Sequence, residues 1–314
     1  MVAGTTVKAY IHKVDEYAVH DGPGGRALVF LKGCHLSCKW CQNPELIKPE
    51  PEIMIIHGDR CIFCHKCEKV CPVDAVRLER SGRIDREKCL GSSCSKCVEA
   101  CPKGVYEVVG YKTTPGELYK HVAKYKIFYN YSRRGGVTLS GGDPLFHPEF
   151  SAEALRLCQE DHIHTAIETA LSAPYETLWK VAEYCNLILC DIKHMDSKKH
   201  KEGVGVPNEL ILDNLKKLNR DFKGDIVVRI PLIPGFNDDE ENIARTAEFL
   251  NPLPQIKGID LLPFNDLPAA KYESLGRDWV YQGAKRQPRE YLEKLKGIVD
   301  SYNGRFQCTI GGLW

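Results

Sequence analysis

The sequence predicts an α/β protein built on a parallel sheet, with a cysteine-rich segment inserted after the first strand of that sheet. Two observations predict it: short apolar runs alternate with helical patterns along most of the 314 residues, and the rhythm breaks from about 48 to 111, where cysteines concentrate. The runs are Ala27 to Leu31, Val137 to Leu139, Thr165 to Ile167, Leu187 to Cys190, Ile226 to Ile230 and Ile259 to Leu262. Each has strand length and several are rich in valine and isoleucine, as strands buried on both faces of a parallel sheet are. Six strands follow.

Helices with recognisable starts lie between the runs. Thr114-Pro115-Gly116-Glu117 offers an N-cap, a proline at the first helical position and a glutamate that completes a capping box, for a helix to about Tyr129. Further helices are expected near 149–160, 175–185, 208–219, 239–250 and 288–301. The alternation favours β-α-β units, as a barrel or as an open doubly wound sheet, and in both the chemistry gathers at the carboxyl ends of the strands. Four polar sequences fall there: Gly33-Cys34, Ser140-Gly141-Gly142-Asp143, Glu168-Thr169 and Asp191-Ile192-Lys193.

Composition narrows the partners. With 43 Lys and Arg against 42 Asp and Glu, the net charge of +1 creates no bulk field for nucleic acid or an anionic membrane. The first 25 residues lack an apolar core of signal-peptide length, and no run approaches the roughly 20 apolar residues of a spanning helix. A cytoplasmic protein is expected. Cysteine is the outlier, at 15 residues; the odd number and the chain's size favour metal binding over disulfides. Eleven of them lie between Cys34 and Cys101, whereas Cys158, Cys185, Cys190 and Cys308 are scattered as ordinary buried thiols are.

The inserted segment contains a repeat. Cys61, Cys64, Cys67 and Cys71 form C-x2-C-x2-C-x3-C-P, and Cys89, Cys94, Cys97 and Cys101 form C-x4-C-x2-C-x3-C-P. Close triplets wrap three corners of an iron-sulfur cubane, and in two-cluster bacterial ferredoxins the fourth cysteine, followed by proline, reaches the other cluster. That crossing would place Cys61, Cys64, Cys67 and Cys101 on one 4Fe-4S cluster and Cys71, Cys89, Cys94 and Cys97 on a second. Two structural zinc sites are the alternative, although zinc usually takes paired C-x2-C hooks.

A different pattern sits at Cys34-x3-Cys38-x2-Cys41. Three thiolates leave one iron of a cubane open to a substrate, which implies chemistry at that cluster. The bland alternative is a structural site completed by a neighbour such as His35. Gly22-x-Gly24-x-Arg26-x3-Phe30-x2-Gly33-Cys34-x3-Cys38-x2-Cys41-x-Asn43 resembles the signature of glycyl-radical-enzyme activating enzymes, a branch of the radical S-adenosylmethionine (SAM) superfamily. The resemblance continues through Ser140 to Pro144, Ile167-Glu168-Thr169, Asp191 to Asp196, Arg229-Ile230-Pro231 and Leu261 to Phe264, and includes the insert.

The resemblance implies a partial (β/α)6 barrel, residues 1–47 and 112–314, carrying an α+β bacterial-ferredoxin-like domain at 48–111. It implies three 4Fe-4S clusters, SAM bound at the open iron, cleavage to methionine and a 5'-deoxyadenosyl radical, and hydrogen abstraction from a backbone glycine of a partner glycyl radical enzyme. A flavodoxin or ferredoxin would donate the electron. By the same resemblance Cys34, Cys38 and Cys41 carry the catalytic cluster, Trp40 lies against the adenine and Gln42 joins the cofactor-binding residues. Gly141 and Gly142 would admit the methionine ammonium. Asp143 stands where the family usually has glutamate. Glu168 and Asp191 would hold the ligand or a monovalent cation, Lys193 and Arg229 the ligand carboxylate, and Asn265 stands where many relatives have histidine. For Trp40 a core tryptophan, for the glycines a plain turn, and for Asp191 and Lys193 an internal ion pair are the structural alternatives. Several segments are most similar to activators of arylacetate decarboxylases such as 4-hydroxyphenylacetate decarboxylase, with activators of diol, choline, sulfonate and hydrocarbon lyases also open. The competing functions are a radical SAM reaction on a small molecule or peptide, and a ferredoxin-type electron carrier, which would not need the barrel.

Overall fold

A computed structural model describes residues 7–79, 83–132, 134–302 and 306–312; residues 1–6 and 313–314 of the expected barrel segments lie outside them. Its strands are β1 (Ala9–Ala18), β2 (Arg26–Leu31), β3 (Glu52–Ile55), β4 (Tyr106–Val109), β5 (Tyr111–Thr113), β6 (Gly136–Gly141), β7 (His164–Thr169), β8 (Leu187–Asp191), β9 (Asp225–Pro231), β10 (Ile256–Leu262) and β11 (Gln307–Ile310). The helices are α1 (Lys66–Lys69), α2 (Lys96–Ala100), α3 (Pro115–Val122), α4 (Lys126–Tyr131), α5 (Pro148–Glu160), α6 (Tyr175–Ala182), α7 (Ser197–Val204), α8 (Glu209–Asp221), α9 (Glu240–Leu250), α10 (Ala269–Ser274) and α11 (Arg289–Asp300).

All six expected strands are present, as β2 and β6 to β10, and they pair in parallel in sequence order. The sheet is wider than expected. A seventh parallel strand, β11, extends it beyond β10, and β1 and β5 continue it past β2 in antiparallel fashion. Five inter-strand steps separate β2 from β10, which in a flat sheet would hold them roughly 24 Å apart. Residues following both strands nevertheless line one cavity, so the sheet curls. It remains open, because β2 continues to β1 rather than pairing with β11.

Burial explains why the inner strands were legible. β6 and β8 are buried along nearly their whole length, and α5, α6, α8, α9 and α11 contribute the leucines, isoleucines and valines that complete the main core. The helix expected from Thr114 to Tyr129 begins where anticipated but divides into α3 and α4, joined by a tighter turn at Ala123–Tyr125. Its capping box is formed: Thr114 Oγ1 accepts from Glu117 N at 3.2 Å, and Glu117 Oε2 accepts from Thr114 N at 2.8 Å. Thr114→Ala is expected to lower stability by about 1 kcal/mol in urea denaturation; an unchanged midpoint would show that packing, not the cap, holds this end.

Residues 52–109 leave the sheet on a two-stranded antiparallel stalk in which Glu52 faces Val109 and Ile55 faces Tyr106. Beyond it the repeat is visible in the backbone. α1 and α2 follow left-handed residues His65 and Ser95, with φ of 56° and 47°. Cys71 Sγ accepts the Ala75 N–H at 3.1 Å, and Cys101 Sγ accepts that of Val105 at 3.3 Å. A separate small core of Ile53, Val76, Leu78, Ile84, Val105 and Tyr106 packs around Cys67 and Cys97.

Candidate active site

A cavity of about 250 Å³ lies at the carboxyl ends of β2 and β6 to β10. Three cysteines line it: Cys34, Cys38 and Cys41, all from the loop that follows β2. Burial pushes each of these thiols up to about 12, since a thiolate here would lose its water. The surroundings also offer compensation: Leu36 donates its N–H to Cys34 Sγ at 3.4 Å, and the Lys193 ammonium acts on all three. Thiolates are the form that metals bind, so this donor set suits a positively charged metal group that displaces the protons. Among the described residues no three His, Cys, Asp or Glu side chains converge as the ligands of a single ion do. A four-iron cubane takes each thiolate at a different corner, which needs a wider spread.

The glycines at the end of β6 serve packing as well as access. Gly141 has φ +99°, and a Cβ there would stand 2.6 Å from Leu31 N; a Cβ on Gly142 would stand 2.1 Å from Gly33 O. No side chain fits. The absence of one lets Gly142 N donate to Leu31 O and Asp143 N to Gly33 O, both at 2.8 Å, so the β2 and β6 loops lock backbone to backbone beside the cavity. Asp143 does not line the cavity. Its buried carboxylate accepts from Leu145 N, Ala170 N and Thr169 Oγ1 at 2.9 to 3.0 Å, bracing the β6 loop against the β7 loop. Burial holds this carboxyl above its ordinary value despite those donors.

The charged residues form two groups. Lys193 Nζ is 2.9 Å from Asp191 Oδ2, and both line the cavity. Burial alone would lower the lysine, but Asp191 and the nearby thiolates outweigh it and hold the ammonium above its ordinary value. Glu168 accepts from Ser140 Oγ and from Arg229 Nη1, each at 2.5 Å. Arg229 is not in the cavity wall. It lies behind Glu168, 4% exposed, with Asp21 at 3.4 Å, Asp260 at 3.7 Å and the His20 carbonyl as further partners. Its guanidinium thus faces the protein's own carboxylates. Burial and Glu168 raise the Asp21 carboxyl, whereas Glu168 is held low because Arg229 and Ser140 overcome its own burial.

Trp40 is a buried part of the cavity wall and packs on Phe236 with ring centroids 4.6 Å apart. Gln42 and Asn265 line the same space, and Asn265 Oδ1 accepts the Leu267 N–H at 3.3 Å. Sequence reasoning missed Asp21, Asp260 and Lys271, the last of which bonds to Gln42 and Asn43. The Gly22 signature lies beside Asp21 and could have pointed to it; Asp260 and Lys271 carry no local signal.

A second, smaller cavity lies in the inserted segment and is lined by Cys61, Cys64, Cys67 and Cys101. Three of these come from the first repeat and one from the second. Tyr106 Oη donates to Cys67 Sγ at 3.6 Å. Cys71, Cys89 and Cys97 pack around the same small core, and Gly91 N donates to Cys89 Sγ at 3.4 Å.

A curled parallel sheet with three thiols at its strand-end cavity defines a radical SAM protein, and the family model described as Radical SAM superfamily matches residues 28–247. The chain is 38% identical over 312 residues to the "4-hydroxyphenylacetate decarboxylase activating enzyme" of Clostridioides difficile (strain CD196), covering 97% of this chain and 96% of that one. It is also 38% identical over 303 residues to the "Choline trimethylamine-lyase activating enzyme" of Oleidesulfovibrio alaskensis, covering 94% and 96%. Streptococcus suis SuiB bound to precursor peptide SuiA matches with a TM-score of 0.54 at 13% identity, over 93% of this chain and 49% of that one, a likeness of fold alone. The chain belongs to the radical SAM superfamily and, within it, to the family of activating enzymes of glycyl radical enzymes. Membership brings SAM and a 4Fe-4S cluster. No helix among the described residues is long and apolar enough to cross a membrane.

Proposed function

We propose that this protein is an oxidoreductase that activates a partner glycyl radical enzyme. The observation that carries the reading is the set of three cysteines in a strand-end cavity whose wall also holds the Gly141–Gly142 backbone, the Asp191–Lys193 ion pair and Trp40. Cys34, Cys38 and Cys41 would hold a 4Fe-4S cluster, which would supply one electron to the sulfonium of bound SAM, so that the C–S bond would break to methionine and a 5'-deoxyadenosyl radical able to take hydrogen from a backbone glycine of the partner.

The chain's own residues supply binding and orientation. The backbone at Gly141 and Gly142 gives the methionine ammonium close approach to carbonyl acceptors, and Lys193 offers the methionine carboxylate a cation already fixed by Asp191. Trp40 offers the adenine an aromatic face. Arg229 acts as a positioning residue by fixing Glu168, and Asp143 braces the loops. Glu168 and Asp191 remain the carboxylates on which a monovalent cation would sit, in company with the internal partners just described.

We further infer that 48–111 is a ferredoxin-like domain joined to a barrel of 1–47 and 112–314, with two more 4Fe-4S clusters. The cavity lined by Cys61, Cys64, Cys67 and Cys101 supports the crossed ligand set, and the repeated N–H to sulfur bonds support thiolate ligands in both halves. Cys71, Cys89, Cys94 and Cys97 hold the remaining cluster. A flavodoxin or ferredoxin would deliver the electron. The two relatives above share the same identity with this chain but carry different partners in their names, so overall similarity does not select the partner.

Anaerobic reconstitution tests the whole reading. About 12 irons with matching labile sulfide are expected for three cubanes. Reduction with SAM present should release 5'-deoxyadenosine, and addition of a matching partner should give a glycyl radical signal in electron paramagnetic resonance. Zinc without labile sulfide would overturn the cluster assignment, and cleavage with no radical on any of a panel of glycyl radical enzymes would overturn the activase assignment.

A further inference from the structure

The chain between β10 and α11 crosses the loop that carries Cys41, and α10 sits directly upon it. Lys271, on α10, uses all three ammonium hydrogens there: Nζ is 3.1 Å from the Gln42 carbonyl oxygen, 2.6 Å from Asn43 Oδ1 and 2.8 Å from Glu45 Oε1. Gln42 and Asn43 both line the cavity. Glu45 is only 3% exposed, and its Oε2 is buried with no hydrogen-bond partner among the described residues. The other ammonium nearby, Lys32, bonds to the Glu45 carbonyl rather than to its carboxylate. Lys271 is thus the cation that ties a main-chain carbonyl, an amide and a buried carboxylate into one turn. Tyr272, the next residue, is buried beside Cys41 and Cys38 and extends the contact toward the thiols.

We infer that Lys271 is a positioning residue that holds the Gln42–Asn43 turn in the shape that SAM meets. This rests on the proposed reading of the cavity. Lys271 itself is outside the cavity wall, so it acts through the groups it holds. A three-point ammonium contact fixes a turn more firmly than any one of its bonds; loss of an outer-shell partner of metal ligands typically costs about 10- to 100-fold in affinity or activity, and Lys271 stands in that relation to the turn that follows Cys41.

The test uses anaerobically reconstituted holoenzyme, with SAM affinity from equilibrium dialysis and the change that SAM makes to the reduced cluster's paramagnetic resonance spectrum. Wild-type binding checks the cavity reading itself. Lys271→Met should retain the full iron content while binding SAM about tenfold more weakly, with a smaller spectral change, and Lys271→Arg should recover most of the affinity. Because Lys271→Met leaves the Glu45 carboxylate buried without its cation, Lys271→Met/Glu45→Gln is made as well; it removes that charge and should fold normally yet still bind SAM weakly. If wild type binds SAM and the double variant binds it within about twofold of wild type, the inference is overturned.

Discussion

Cys34→Ala, Cys38→Ala and Cys41→Ala are each expected to abolish SAM cleavage while leaving in place the two clusters proposed for the inserted segment. A cubane held by three thiolates loses a third of its protein ligands with any one of them, and the cavity offers no fourth cysteine to substitute. Iron content should fall from about 12 to about 8, because the two sets of four in the insert are untouched. 5'-Deoxyadenosine should drop to the background of the assay with either a chemical reductant or a protein donor. Retained cleavage in any of the three would sink the ligand assignment. So would a loss of all the iron, since it would make the clusters one interdependent unit.

The second large effect is on stability. Arg229→Met removes the buried cation that faces Glu168, Asp21 and Asp260, leaving three carboxylates crowded at the base of the cavity. Breaking such a buried arrangement by deleting one partner costs about 3–5 kcal/mol at neutral pH. The pH dependence has a definite sign. Burial and Glu168 already hold Asp21 above its ordinary value even with the arginine present; removing Arg229 lifts Asp21 further and takes from Glu168 the cation that holds it low against its own burial. A carboxyl with a raised folded value binds its proton more readily folded than unfolded, so its cost is full at high pH. That cost disappears as pH falls through the raised value toward about 4. Urea denaturation of the anaerobic enzyme at pH 7 and pH 5 should therefore show a deficit that shrinks at the lower pH. A pH-independent deficit, or one below about 1 kcal/mol, would mean that the three carboxylates find other compensation.

Legibility in the sequence followed the range of the physics. β6 to β10 were readable because strands buried on both faces must be continuously apolar. β1 was not, since its run from Ala9 to Ala18 includes His12, Lys13, Asp15 and Glu16 and is buried only at Ala9 and Ile11. β5 and β11 are three and four residues long, too short for a pattern, and α7 is largely lysine and other polar residues. The same division holds in the site. Cys34, Cys38 and Cys41 are ligands at local spacing, so sequence alone displays them. Arg229 depends on longer range: Asp260 is its direct neighbour across β9 and β10, Glu168 lies two strands away on β7 and Asp21 follows β1, so only the assembled sheet brings these partners together. Lys271 belongs to a loop with no motif and acquires its role from the turn beneath it.

The stalk formed by β3 and β4 has a consequence for the history of the chain. Because Glu52 and Val109 face one another, the excursion to the cysteine repeats begins and ends at nearly one point beside the curled sheet. Closing a loop grows dearer only as the logarithm of its length, about 0.6 kcal/mol for each doubling. A barrel that tolerates a short hairpin at this site therefore accommodates the whole repeat at little additional entropic cost. The repeat can be gained, exchanged or trimmed as a cassette while β2, β6 and the Cys34–Cys41 loop keep their register.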